Sequence, residues 1–428
     1  MPSIDSADPY AALRVAPFRA FILVRFLLTI GVQIQGVAVG WQIYRATGDP
    51  LALGLIGLAE AIPSIAVALF AGHIADVRSR KTIALWSMLV LCLCSLSLFA
   101  YALWAHVHVP NPRLLDARPI YLVIFLSGLA RGFMGPATAG MAAQLVPREL
   151  YENSATWASS TWQTASIGGP ALGGLIYGFF GARQAYGTDA VMMTSALLWM
   201  TTIPRTPIPP RENVVPVHHS IGEGLRFVFS NQIVLGALAL DLFAVLFGGA
   251  VALLPVFASD ILHTDARGLG ILRAAPAVGA VMMSLWLAHR PNGVGNRVGR
   301  KLLFVVAGFG VATIAFALSK NIILSFVLLA IGGAFDNVSV VIRSTLMQLY
   351  TPDEMRGRVS AVNNIFIGSS NEIGAFESGA AARLLGTALS VVFGGTMTLI
   401  VVAIAYFVAP KLRELNTLAA PAEEVAGD

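Results

Sequence analysis

Runs of about 20 apolar residues recur along nearly the whole chain, and nothing else in the sequence restricts its fold so strongly. As a helix rising 1.5 Å per residue, each run is long enough to cross roughly 30 Å of hydrocarbon. Twelve are present, at about 18–44, 51–75, 82–104, 119–145, 155–180, 185–203, 232–258, 267–289, 301–319, 321–349, 359–385 and 387–409. Inside lipid every backbone N–H and C=O must be satisfied within the segment, which leaves helices as the structure for runs of this length. Composition agrees, because only 12% of the 428 residues are charged and 56% are hydrophobic, against about 25% charged in soluble domains. The first run is too long for a signal-peptide core and is followed by no small-residue cleavage site, so it reads as a retained span. The predicted class is an all-α integral membrane protein with twelve transmembrane helices.

Net charge is +5, and its distribution is more informative than its sum. With the N-terminus inside, 17 Lys/Arg fall on the cytoplasmic side, 6 outside and 5 in the spans, which accounts for all 28. The positive-inside rule then puts both termini in the cytoplasm. The basic residues follow the loops of a membrane protein, which argues against a nucleic-acid partner. Cys92 and Cys94 lie in mid-span with one residue between them and read as packing residues.

The longest polar interruption, 205–230, divides six spans from six, and its end reads as a short amphipathic interfacial helix. The expected organisation is an N-terminal bundle at 1–203, a cytoplasmic linker at 204–231, a C-terminal bundle at 232–410 and a cytoplasmic tail at 411–428. The halves repeat. Asp76-Val-Arg-Ser-Arg-Lys81 aligns with Asn296-Arg-Val-Gly-Arg-Lys301 at an offset of 220, while Pro147, Glu149, Gly169, Gly174 and Gly181 match Pro352, Glu354, Gly374, Gly379 and Gly386 at 205. The 15-residue change falls where the first half has a long outer loop, His106 to Arg118, and the second a tight turn near Lys320. Such an internal repeat marks a duplicated six-span unit. In the second half, Thr351-Pro-Asp-Glu354 reads as a capping box that restarts span 11.

These residues resemble the major facilitator superfamily. Gly72-His-Ile-Ala-Asp76-Val-Arg78-Ser-Arg80-Lys81 is similar to that family's signature loop between helices 2 and 3, with Ser79 where glycine is usual and Val77 where a basic residue is usual. Arg131 followed by Gly135 resembles the helix-4 arginine motif, and Gly169-Pro170-Ala-Leu-Gly173-Gly174 the helix-5 motif of proton-coupled exporters. Gly332 to Asp336, with Arg356-Gly-Arg358-Val, is similar to the bacterial subgroup that includes the enterobactin exporter and related drug/proton antiporters. The resemblance implies two pseudo-symmetric six-helix bundles and a conformational gate of Gly72, Asp76, Arg80, Lys81 and Arg356. In it, Asp76 would meet the positive N-terminal dipole of helix 11.

A charge in mid-bilayer costs about 2.5 to 3.5 kcal/mol on insertion scales, so each one needs a partner or a cavity. Arg131 in span 4 and Asp336 in span 10 are 205 residues apart, the repeat offset, and at similar depth. They are therefore the leading candidates for a charge pair across the transport path, which a proton on Asp336 would release. Asp241 in span 7 has no local side chain to neutralise it, and Glu60 in span 2 lies three residues before Pro63. Both are candidates for proton coupling, as is Glu372 on the polar span 11. Asn364, Asn371 and Trp162 are candidate cavity-lining residues. Arg25, Arg343 and Arg383 lie within snorkelling reach of an interface, Arg273 is placed near the outer end to pair with Asp265 or a span 7 group, and Asp189 reads as an interfacial residue. Gly169/Gly173 and Gly174/Gly178 form small-residue faces for close helix packing, with Pro170 as a pivot.

The functional expectation is proton-coupled efflux of a small organic, amphipathic solute, siderophore- or drug-like, by alternating access, in a bacterial inner (cytoplasmic) membrane. The alternative is a solute or lysolipid uptake permease of the same fold. Small-molecule substrate, protons and membrane lipid are the expected partners of a protein that works as a monomer. With no GxSxG, no HExxH and all seven histidines at or beyond span ends, neither an enzyme, a cofactor nor a metal site is expected.

Overall fold

The computed structural model describes residues 8–204, 217–289, 295–352 and 355–417. Among them, twelve helices have 16 residues or more: α1 Ala16–Thr47, α2 Pro50–Val77, α3 Arg80–His108, α4 Arg118–Gln144, α5 Tyr151–Phe180, α6 Ala182–Thr202, α7 Gln232–Phe247, α8 Ala266–Ala288, α9 Val298–Leu318, α10 Ile322–Tyr350, α11 Arg356–Leu385 and α12 Thr387–Val408. No strand is present among the described residues. Eight segments are long and apolar enough to cross a membrane, and the remaining four long helices are α4, α5, α6 and α11.

Local chemistry sets the ends. Gly48 adopts the left-handed conformation (φ 63°) that stops α1, and Asp49 then caps α2 by accepting from the Leu51 N–H, with Pro50 at the first helical position. Asn231 and Asn321 cap α7 and α10 in the same way. Expected capping-box residues 353 and 354 lie outside the described residues, and α11 begins at Arg356. The amphipathic linker helix is present at Val217–Ser230, held to the start of α11 by an Arg358–Glu223 ion pair of 2.7 Å.

Span 7 departs from the continuous helix expected. It breaks after Phe247, passes through a 3₁₀ turn at Gly249–Val251 and resumes as a short helical and π-helical stretch to Ile261. Close packing accounts for the break: a Cβ on Gly248 would lie 2.8 Å from the Phe309 ring, and one on Gly249 3.0 Å from the Gly374 carbonyl oxygen. Discontinuous helices of this kind recur at transporter binding sites.

The chain forms two compact units, one of Met1–Val214 with Leu254–Ala274 and one of Val215–Leu253 with Ala275–Asp428. Helix pairings repeat between them. In the first, α1 packs on α5 and α6, and α3 on α4 and α6; in the second, α7 packs on α11 and α12, and α9 on α10 and α12. Adding six to each number converts one set into the other, which is the structural counterpart of the sequence repeat.

The two glycine faces of α5 meet different partners within the first unit. Gly169 and Gly173 press on α1, where added Cβ atoms would lie 2.6 Å from Gln33 Cβ and 2.9 Å from Ile34 Cα. Gly174 meets the start of α8, and a Cβ on Gly270 would lie 2.7 Å from Gly174 Cα. This backbone-to-backbone contact, with the Tyr44–Asp260 hydrogen bond and the approach of Pro255 to Gly40 of α1, ties 254–274 to the first unit, so the compact units do not divide at the linker alone. The chain crosses between units inside α8, whose interior proline, Pro276, stands two residues past Ala274. Gly168, in the same motif, has nothing within 4 Å of its Cβ position. Gly174→Ala is therefore expected to destabilise by about 1 to 3 kcal/mol through overpacking, whereas Gly168→Ala is neutral or gains up to about 1 kcal/mol of helix propensity. Thermal unfolding in detergent separates the two, and equal effects would refute the assignment of the faces.

Candidate functional site

Each unit holds one arginine–carboxylate cluster inside its spans. In the first, Arg131 of α4 donates through Nη1 to Glu60 of α2 in an ion pair. Glycines set this contact: a Cβ on Gly128 would lie 2.5 Å from the Glu60 carbonyl oxygen, and one on Gly132 2.9 Å from that of Ser64. The small faces at 128 and 132 thus let α4 lie against α2 beside Pro63, bringing Arg131 level with Glu60. A second carboxylate, Asp189 of α6, lies within electrostatic reach of Arg131. Asp189, read from sequence as interfacial, is 0% exposed and packed inside the unit. Gln35 of α1 donates to its Oδ2 at 3.1 Å, while its Oδ1 has no hydrogen-bond partner.

The second unit holds the same set of groups in a different arrangement. Arg343 of α10 is ion-paired with Asp241 of α7, with both side chains under one-tenth exposed. Asp241, with no local side chain to neutralise it, takes a partner 102 residues along the chain, and Arg343, expected within snorkelling reach of an interface, is instead buried in that pair. Asp336, on the same helix as Arg343, is exposed, accepts no hydrogen bond among the described residues, and lies within electrostatic reach of both Arg343 and Asp241. Arg343 also lines a cavity of about 260 Å³ between α10 and α11, together with Ser344, Gln348, Arg356 and Asn363.

Each cluster therefore contains one arginine and two carboxylates, while Arg25 and Arg273 in the first unit and Glu372, Glu377 and Arg383 in the second lie in the helices outside it. In the first the direct pair is part-exposed and the spare acid, Asp189, is sealed in; in the second the direct pair is sealed in and the spare acid, Asp336, is open. The expected pairing of Arg131 with Asp336 joins the two units, and each of these residues has charged neighbours within its own unit.

The remaining candidates are more scattered. Lys81 is buried and donates to the Thr201 carbonyl at 2.8 Å and to that of Ile203, so it caps the carbonyl end of α6. Arg356 donates to the Gln348 carbonyl at 3.2 Å near the end of α10. Arg80 is half-buried at the start of α3. Gly72 and the side chains of Asp76 and Asn364 lie outside the described residues. Asn371 is exposed and donates to the Ile367 carbonyl, Glu372 is half-buried and Trp162 is exposed. Pro170 lies within an unbroken α5. Arg273 packs against Gly36 of α1, and Asp265 pairs with Arg267 rather than with it. No group of three or more His, Cys, Asp or Glu gathers as a metal site among the described residues.

Two helical units related by a repeat, with arginine–carboxylate clusters inside their spans, are the features of a secondary transporter. Solved structures with the same fold include a POT family transporter in complex with 5-aminolevulinic acid (TM-score 0.69, 12% identity, 92% of this chain and 96% of that one). They also include a bacterial homologue of the iron transporter ferroportin in an inward-facing state (TM-score 0.68, 16% identity, 94% and 99%). The chain belongs to the transmembrane secretion effector family of the major facilitator superfamily, whose model matches residues 7–425. Among curated relatives, the enterobactin exporter EntS of Shigella dysenteriae serotype 1 is 28% identical over 406 residues, covering 93% of each chain. That of Escherichia coli O1:K1 is 28% identical over 403 residues, again covering 93% of each.

Proposed function

We propose that this multi-pass membrane protein is a proton-coupled exporter of a small organic amphipathic solute, siderophore- or drug-like. It works as a monomer by alternating access in a bacterial cytoplasmic membrane, with both termini inside. The observation that carries the coupling is the excess of carboxylate over arginine in each cluster, Glu60 and Asp189 around Arg131 and Asp241 and Asp336 around Arg343. With all groups ionised, each cluster holds one net negative charge in a region where charge is costly. One proton, or one cationic group of a solute, neutralises it, so the two compete for the same site. Exporters among the relatives favour efflux, and 17 of the 28 Lys/Arg on one side favour the orientation. Proteoliposomes under an imposed pH gradient, screened across siderophores, cationic drugs and lysolipids, test this reading. Solute is expected to move against protons. Movement with protons would establish uptake, and movement indifferent to a protonophore would remove proton coupling.

A further inference from the structure

The long outer loop of the first half has no counterpart in the second, and the transport scheme leaves it without a role. In the structure it is built rather than slack. Asn111 caps a 3₁₀ turn at Pro112–Leu114, and Tyr101 donates to the Asp116 carbonyl at 2.5 Å. Together with the ends of α1, α3 and α5 and the start of α6, it walls a cavity of about 570 Å³ that lies wholly within the first unit. Val109, Pro110, Pro112 and Leu115 supply the loop side of the wall. Ligand cavities commonly have volumes of about 300 to 1,000 Å³.

Its lining combines two chemistries. Trp41, Tyr177 and Phe180 give it an aromatic, apolar floor, while Arg45, Arg183 and His106 bring nitrogen donors to the same space. Neither Arg45 nor Arg183 is ion-paired among the described residues, and both are exposed. Asp265 also lines the cavity, but its carboxylate is taken by Arg267 at 3.4 Å. Arg267 is itself committed, lying 3.7 Å over the Phe179 ring and donating to the Gly178 carbonyl. Arg183 Nη2 donates to the side-chain oxygen of Gln184 at 3.0 Å with that amide turned to satisfy both its ends, so the cavity is left with two guanidinium groups paired to no carboxylate among the described residues, beside aromatic rings, an arrangement that fits an oxyanion carried on an apolar body.

We propose that this cavity binds the anionic head of an amphipathic molecule, whether a phospholipid of the adjoining leaflet or a free solute, and that the loop unique to the first half exists to form it. The proposal depends on the orientation of the chain in the membrane only for the side to which the cavity opens. Binding to purified protein does not require transport, so it stands or falls separately.

The test uses the full chain in uncharged detergent and the fluorescent anion 1-anilinonaphthalene-8-sulfonate. An Arg45→Gln/Arg183→Gln variant is expected to bind it about tenfold or more weakly, since the charge-assisted hydrogen bonds to the anion are lost. The uncharged N-phenyl-1-naphthylamine should bind both proteins alike. Arg113→Gln/Arg118→Gln removes the same charge from loop positions outside the lining and should leave affinity within about twofold. Unchanged binding in the first variant, or an equal loss in the second, overturns the proposal. Displacement of the probe by dihexanoyl phosphatidylglycerol but not by dihexanoyl phosphatidylcholine identifies a lipid headgroup as occupant. Displacement by neither, with the Arg45/Arg183 dependence intact, identifies a free anionic solute.

Discussion

Asp241→Asn is expected to cost about 3 to 5 kcal/mol, more than the overpacking caused by Gly174→Ala. The substitution keeps the shape of the side chain but removes its charge, leaving the Arg343 guanidinium under one-tenth exposed with no carboxylate in contact. Arg343 already has one unsatisfied nitrogen, Nε, so no reserve of hydrogen bonding offsets the loss. Removing both partners is different. Asp241→Leu/Arg343→Met replaces a desolvated pair with apolar groups of similar size and should return to within about 1 kcal/mol of the parent, because the pair's attraction only roughly balances its desolvation. Thermal unfolding in detergent of the parent, Asp241→Leu, Arg343→Met and the double variant gives the coupling directly. Additive single and double mutants would show that the two side chains do not depend on one another.

Asp336→Asn should behave in the opposite way, with folding untouched and coupling lost. Its side chain is exposed and accepts no hydrogen bond among the described residues, so its amide has little native contact to disrupt. If Asp336 is the group on which protons and solute exchange, gradient-driven transport in proteoliposomes falls to the rate seen without a gradient. Downhill counterflow of the same solute should continue. A variant that still accumulates solute in response to pH would move the role to another carboxylate, and Asp189→Asn is then the next protein to make. Loss of both transport modes would instead assign Asp336 to solute binding.

Much of this architecture is legible in the sequence because membrane helices declare themselves by length and composition. The twelve long helices and the two glycine faces of α5 are all local patterns. What is not legible is which helix a given face meets. Asp241 and Arg343 are 102 residues apart, and an apolar helix of period 3.6 gives no sign of which neighbour supplies the counter-charge. The repeat offset points Arg131 towards Asp336, yet Glu60 is the carboxylate in contact with it. The signal for this lies in Gly128 and Gly132, small residues flanking Arg131 on a face that has to lie against another backbone. Asp189 reads as interfacial from its early place in span 6, whereas the amides Gln33, Gln35 and Gln42 on an otherwise apolar span 1 are the mark of buried polar partners. The break in span 7 also has a sign, the adjacent pair Gly248 and Gly249.

The passage of the chain from one unit to the other inside α8 has a mechanical consequence. Ala266–Ala274 is anchored by the glycine contact to α5, while from Ala275 onward the same helix belongs with α7 and α9 to α12. A single rod clamped at both ends in different bodies must flex when those bodies rotate, and it flexes where a rung of its ladder is already missing. Pro276 has no N–H to give and sits at that boundary. The helix therefore has its weakest hydrogen bonding at the point where it passes from one compact unit to the other.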